Sequence, residues 1–157
     1  MEEFKPKHTI SDFEKFREGR EKLGGLILEG MKTTGGTDID WMIEHRGGFI
    51  LMENKGFYKD SISIKKGQMI AFEKLHEKLN SDGKCHFLIF GCDDIDFKNQ
   101  DSIIWYFEME DWKSRKIPFE DDTKYKRYKI GRNDMKSITI KEYRLLMEKF
   151  WNDFENS

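Results

Sequence analysis

The sequence predicts an α/β fold, with a mixed β-sheet flanked by helices. Two strand-like runs surround the pair Gly47-Gly48, with alternating apolar and polar residues before it and an apolar run ending at Glu53 after it. A nearly continuous apolar run over 85–90 is typical of a strand buried on both faces. Apolar residues at helical spacing precede that run, over 68–80. A strand, a helix and a buried strand in this order predict a crossover between parallel strands.

Length and composition predict one domain in an intracellular setting. The chain has 157 residues and a net charge of −2, and we expect a core at about 11–92 and a C-terminal extension at about 93–157. Cys85 and Cys92 would lie about 23 Å apart in a strand, too far for a disulfide, so we expect reduced thiols in a cytoplasmic protein. No apolar run approaches the roughly 20 residues of a membrane span. Without a positive excess, any DNA contact must come from a local basic face.

The first helix is predicted from a capping box at Ser11-Asp12-Phe13-Glu14. Apolar spacing continues to about Leu23, and Gly24-Gly25 predicts the end of the helix. The apolar run 26–28 that follows is compatible with a strand or with a helical turn.

A testable register follows from the two runs around the glycine pair. If Arg46 and Gly47 form a two-residue loop, Asp40 faces Glu53 and Asp38 faces Lys55, all on one face. Directly opposed residues have Cβ atoms only about 5 Å apart, so two such carboxylates repel each other. A divalent cation between them removes the repulsion, and Mg²⁺ is typically held by one or two carboxylates together with substrate phosphates.

Asp40 followed by Glu53-Asn54-Lys55 at the end of a second strand resembles the PD-(D/E)xK nuclease superfamily. That group includes restriction endonucleases, archaeal-type Holliday-junction resolvases and phage nucleases. The resemblance implies a restriction-endonuclease-like sheet, with Asp40, Glu53 and the Asn54 carbonyl as ligands of Mg²⁺ or Mn²⁺, and Lys55 as the catalytic lysine. The nominal proline is absent, because Ile39 precedes Asp40, and Asp38 therefore stays an alternative acid.

The same resemblance implies two further site residues. The first helix often supplies an additional acid, for which Glu21 is our choice among several glutamates that would otherwise be solvated. Gln68 lies on the buried stripe of the helix 68–80, where it would reach the active site or form a structural hydrogen bond.

Basic residues elsewhere are candidates for binding nucleic acid. Lys65 and Lys66 precede a helix, and 112–130 mixes basic residues, including Lys126 and Arg127, with aromatics. This mixture favours a strand or ribbon whose basic face tracks a phosphate backbone, with a charged edge strand as the alternative. A strand at 103–107 together with the strand or ribbon of 112–130, and a helix after a capping box at Thr139, would add a C-terminal strand pair and helix to the fold.

These observations predict a metal-dependent nuclease that hydrolyses DNA phosphodiesters, with structure-specific or resolvase-like action, and a homodimer is compatible with the resemblance. One alternative is a catalytically inactive nuclease-fold module that binds nucleic acid or a partner protein. Another is a small interaction protein in which Asp40, Glu53 and Lys55 form a surface ion network that binds no metal.

Overall fold

The computed structural model describes residues 12–32 and 35–157, and Ser11 of the predicted capping box lies outside them. Contacts divide the chain into two compact units, residues 1–37 and 38–157.

The first unit contains helix α1 (Phe13–Gly30). The helix begins after Asp12, whose side chain accepts a hydrogen bond from the Lys15 amide at 3.0 Å. It continues through Gly24-Gly25, so the predicted end near Leu23 is wrong and the run 26–28 is helical. Two glycines cost a helix only about 1 kcal/mol each, which strong helix formers on both sides can offset. None of the 18 residues of α1 is buried.

The second unit contains three helices and two sheets. Its helices are α2 (Lys66–Leu79), α3 (Met109–Lys113) and α4 (Ile140–Glu155). Its strands are β1 (Trp41–His45), β2 (Gly48–Gly56), β3 (Ser61–Lys65), β4 (Cys85–Cys92), β5 (Ile103–Glu108), β6 (Glu120–Asp122), β7 (Arg127–Gly131) and β8 (Lys136–Thr139). The main sheet has the order β1-β2-β4-β5-β8, and the second sheet has the order β3-β7-β6.

The α/β class and the mixed sheet are confirmed. Strand β2 pairs with β4 in parallel, as the crossover through α2 predicts, whereas the other pairs of the main sheet are antiparallel. Successive residues of the central strands point to opposite faces and build two apolar clusters. Helices α2 and α3 and the second sheet contribute to the cluster of Leu51, Phe87 and Phe107. Helix α4 contributes to the cluster of Leu88 and Phe90.

The C-terminal part differs in one respect from its prediction. Residues 112–130 do not form one ribbon, because Trp112 belongs to α3 and is buried. Its indole Nε1 donates to Glu73 Oε1 at 2.5 Å, which lets the large ring enter the core with its polar atom satisfied. The ribbon is confined to β6 and β7. The capping box at Thr139 is confirmed, with both reciprocal hydrogen bonds to Glu142 present.

Within residues 12–32 and 35–157, no helix combines the length and the apolar character that crossing a membrane requires.

Candidate active site

The hairpin of β1 and β2 has the predicted turn and register. Arg46 and Gly47 both have positive φ, 49° and 80°, as a two-residue type I′ turn requires. The Gly47 amide also donates to Glu44 Oε1 at 2.8 Å, which fixes the turn. The ladder runs from His45 opposite Gly48 to Trp41 opposite Met52.

Asp40 lies at the open end of this hairpin, one residue before β1. The register, continued by one position, places it opposite Glu53. The Asp40 carboxylate accepts a hydrogen bond from the Asn54 amide at 2.8 Å. This side-chain hydrogen bond links the two chain segments just beyond the end of the backbone ladder. Asp40 is exposed, and its carboxylate lies at the edge of the sheet beside the last residues of β2.

Glu53 occupies a very different environment. Glu53 is only 4% exposed, because it lies on the same face of β2 as Leu51, and the core covers that face. Its Oε2 atom is buried and has no hydrogen-bond partner among the described residues. Burial, followed by the negative charge of Asp40, raises the pKa of Glu53, and the neighbouring Lys55 opposes this shift only in part.

Lys55 and Gln68 complete the cluster. The Lys55 ammonium donates to Gln68 Oε1 at 2.8 Å and lies 3.4 Å from Glu53 Oε1. Gln68 Nε2 in turn donates to Glu53 Oε1 at 3.4 Å. Gln68 reaches this position because it lies in the first turn of α2, one turn before Phe72, whose ring is buried in the core. The structure thus brings Asp40, Glu53, Lys55 and Gln68 together, whereas their roles stay predictions.

Three other predicted site residues lie elsewhere or contribute main-chain atoms. Asn54 is exposed and contributes its amide to Asp40, while the role of its carbonyl stays a prediction. The ladder ends at Trp41, so the predicted opposition of Asp38 and Lys55 lies beyond it. Glu21 is an exposed residue of α1 in the first unit, and its role also stays a prediction.

The predicted basic residues fall into different environments. Lys65 is an exposed residue at the end of β3, opposite Arg127 of β7. Lys66 forms an ion pair with Asp121 at 2.5 Å. Lys126 is exposed in the turn between β6 and β7, with φ of 53°.

Arg127 lines a groove of about 460 Å³ next to the site. Lys129, which belongs to the predicted basic stretch 112–130, lines the same groove, and so does Lys59, which sequence reasoning missed. They lie 70 positions apart and meet only because β3 pairs with β7, which no local pattern indicates.

The cluster offers two carboxylates to a cation. No group of three or more His, Cys, Asp or Glu side chains suited to a metal ion occurs among residues 12–32 and 35–157. Two carboxylates are nevertheless the usual protein contribution to a Mg²⁺ site that also takes substrate phosphates and waters. Asp40 and Glu53 therefore fit a cation of this kind, because the partnerless Glu53 oxygen lies beside a second carboxylate. The chain matches no protein-family model and no curated protein, so the functional argument depends on this geometry.

Proposed function

We propose that this protein is a metal-dependent nuclease that hydrolyses phosphodiester bonds in DNA with Mg²⁺ or Mn²⁺. The observation that carries the proposal is the buried Glu53 oxygen without a hydrogen-bond partner, beside the carboxylate of Asp40. Lys55 and Gln68 satisfy only Oε1, and a buried carboxylate oxygen without a hydrogen bond is costly, so native structures rarely keep one without a reason. A bound dication would compensate both carboxylates at once.

The proposed cation site consists of Asp40, Glu53 and the Asn54 carbonyl. A bound Mg²⁺ or Mn²⁺ supplies polarisation of the phosphate and a lower pKa for the attacking water. Glu53 is held in place as a ligand by its pairing with Ile89 of β4 and by the contacts of Gln68 and Lys55 with its Oε1. Asp40 is exposed at the sheet edge, which keeps the site open to a substrate of macromolecular size.

Lys55 has the position of a group that stabilises charge on the phosphate or orients the water. An ammonium has three N–H donors, and Gln68 and Glu53 accept two of them, so the third can donate to the substrate. Gln68 holds the ammonium in place through its Oε1 and holds Glu53 through its Nε2. A donor that is already held in position stabilises the developing charge without having to reorient during the reaction.

The resemblance to the PD-(D/E)xK superfamily supports this proposal. The family's pattern is an Asp at the start of one strand and a Glu-x-Lys on the next, often with a Gln or Lys on the following helix that reaches the active site or the substrate. Asp40, Glu53, Lys55 and Gln68 resemble this pattern, and their proximity supports the proposal. We therefore also propose a restriction-endonuclease-like core, to which β5, β8 and α4 are additions.

A cleavage assay tests the proposal. Purified protein would be incubated with supercoiled plasmid and with branched DNA, in Mg²⁺, in Mn²⁺ and in EDTA. We expect cleavage only with metal, and a loss of at least about 10²-fold in kcat for Glu53→Ala and for Lys55→Ala.

The matched control is a second Glu-Lys pair, Glu77 and Lys74 on α2, which lie 3.5 Å apart and are exposed. Glu77→Ala and Lys74→Ala should cleave like the wild type. Full cleavage by the Glu53 or Lys55 variants would refute the proposal. DNA binding by the wild type without turnover in either metal would favour the inactive module instead.

A further inference from the structure

A groove beside the candidate site is formed almost entirely by basic and hydroxyl side chains. We call it the basic groove, and its volume is about 460 Å³, within the range of roughly 300–1,000 Å³ typical of ligand clefts. Its lining includes Lys55, Tyr58, Lys59, Ser63, Arg127 and Lys129. Since Lys55 also contacts Glu53, the basic groove begins at the candidate site.

The sheet geometry explains why the cations converge. Arg127 and Lys129 are two positions apart on β7 and therefore point to the same face of the second sheet. Ser63 lies opposite Lys129 on the neighbouring strand β3. Lys59 precedes β3 in a turn where its φ is 49°, so the chain folds back from the end of β2 to place it at the same groove.

The charges of the basic groove are one-sided. Lys55, Lys59, Arg127 and Lys129 are its cations, and Glu120 is the one carboxylate among its lining residues. Within the described part of the chain, neither Lys59 nor Arg127 forms an ion pair, whereas Lys129 lies 3.9 Å from Asp122 and Lys55 lies 3.4 Å from Glu53. A chain with net charge −2 that concentrates four cations in one groove, two of them without an ion pair, is suited to bind a polyanion there.

Two further side chains indicate the kind of polyanion. The Ser63 hydroxyl is buried and has no hydrogen-bond partner among the described residues, so it can donate to a phosphate oxygen. Tyr58 is 74% exposed, and the Lys59 ammonium lies 5.4 Å from the centroid of its ring, so an aromatic ring and a cation are adjacent at the groove. Cations together with an exposed aromatic ring are the combination that binds single strands, because unpaired bases offer their faces.

We infer that the basic groove binds an unpaired strand of the nucleic-acid substrate, with phosphates against Lys59, Arg127 and Lys129 and a base on Tyr58. This inference rests on the proposed nuclease function, since it assigns a binding place to the nucleic-acid strand that would lead to Glu53 and Lys55. It predicts that the protein prefers substrates with a single-stranded segment, such as a flap or an open branch, to a continuous duplex.

The test is a binding titration without turnover. Fluorescence anisotropy in EDTA would compare a labelled single-stranded oligonucleotide with the matched duplex. Each phosphate contact on a single strand contributes about 0.7 to the magnitude of the slope of log K against log salt. At 0.1 M salt, one such contact therefore raises the affinity about fivefold relative to 1 M salt. The double variant Lys59→Gln/Arg127→Gln should therefore bind the single strand about 25-fold more weakly, with the slope reduced by about 1.4.

The control is Lys74→Gln/Lys78→Gln, which removes the same charge from exposed positions on α2 and should bind like the wild type. Tyr58→Ala should weaken single-strand binding by at least about fivefold, whereas Tyr58→Phe should retain it. Thermal unfolding of each variant shows that the fold is intact. Equal binding by the groove and control variants would overturn the inference, and so would a duplex bound as tightly as the single strand.

Failure of the inference can be distinguished from failure of the proposed function. If Glu53→Ala abolishes cleavage while the groove variants bind normally, the nuclease stands and the groove assignment is wrong. If the wild type cleaves nothing but its binding depends on Lys59, Arg127 and Tyr58, the groove assignment stands and the nuclease is wrong.

Discussion

The two strands of the hairpin, β1 and β2, differ sharply although they pair with each other residue by residue. Strand β1 is at the edge of the main sheet, and Trp41, Met42 and Ile43 are all exposed. Strand β2 lies between β1 and β4, and its Leu51 and Glu53 are buried. The candidate metal site is therefore divided, with one carboxylate in solvent and the other in the core.

This division explains how the site can be both rigid and accessible. The backbone of Glu53 is paired with Ile89 of β4, and the burial of Glu53 raises its pKa and leaves one oxygen unsatisfied. Asp40 retains access to solvent and is positioned by the register and by the Asn54 amide. The far end of β1 is held by α4, where His45 stacks on Trp151 with ring centroids 3.6 Å apart. An edge strand anchored at its turn and by its ladder can still present Asp40 accurately.

The largest effect that separates the two strands should be on stability. Met42 and Leu51 face each other in the ladder, yet Met42 is 57% exposed and Leu51 is 0% exposed. Leu51→Ala should lower the free energy of unfolding by about 2–5 kcal/mol, because it leaves a cavity in the core. Met42→Ala should lower it by less than about 1 kcal/mol. Urea unfolding measures both values, and equal losses would show that β1 is buried as deeply as β2 in solution.

The sequence predicts the hairpin and its register because both depend on local information. A two-residue loop between alternating runs fixes the pairing of every residue along the ladder, and the opposition of Asp40 and Glu53 follows from that count. The parallel pairing of β2 with β4 was equally predictable, since the helix between two apolar runs leaves little choice.

The features that were missed depend on contacts distant in sequence or on small energies. The second sheet joins β3 to β7, more than 60 positions later, and this pairing forms the basic groove. Trp112 looked like part of a basic ribbon, but its ring enters the core because Glu73 accepts its N–H. The end of α1 was misjudged because two glycines lower helix stability without forbidding the helix.

A smaller loss of stability is expected from a substitution in β4, the strand that pairs with β2 on the side away from β1. Gly91 of β4 lies opposite Lys55, and a Cβ added there would overlap the ring of Phe57. That ring lies just beyond β2 and carries the Arg132 guanidinium 4.0 Å from its centroid. Gly91→Ala should therefore destabilise the fold by about 1–3 kcal/mol through overpacking, and should also reduce cleavage by moving the end of β2.

Gly56→Ala is the matched control for Gly91→Ala. Gly56 lies on β2 next to Lys55, and a Cβ there would meet no atom within 4 Å. Thermal unfolding and the plasmid assay should therefore give values near those of the wild type. If Gly91→Ala were as stable and as active as Gly56→Ala, the ring of Phe57 would be free to move, and the close packing beside Lys55 would have no part in positioning it.

The smallest expected change in stability comes from neutralising each of the two carboxylates, Glu53 and Asp40, in turn. In EDTA at neutral pH, Glu53→Gln should be more stable than the wild type by about 1 kcal/mol, or about 2–4 °C in Tm at this chain length. The substitution removes both a buried charge and its repulsion with Asp40, the two causes that raise the pKa of Glu53. Asp40→Asn removes only the repulsion, so its gain in Tm should be smaller.

The pH dependence of stability independently tests whether Glu53→Gln is more stable than the wild type for the stated reason. A carboxyl group whose pKa is raised by folding destabilises the fold once it ionises, so the wild type loses stability as the pH rises from the ordinary value of 4.5 through the raised pKa. The advantage of Glu53→Gln should therefore be largest above the raised pKa and vanish below pH 4.5. Added Mg²⁺ should raise the Tm of the wild type at neutral pH and leave Glu53→Gln nearly unchanged, because the cation binds only the native state with both carboxylates. A Glu53→Gln variant less stable than the wild type in EDTA would mean that the buried carboxylate is already compensated by Lys55 and Gln68, and the case for a cation at this position would fail.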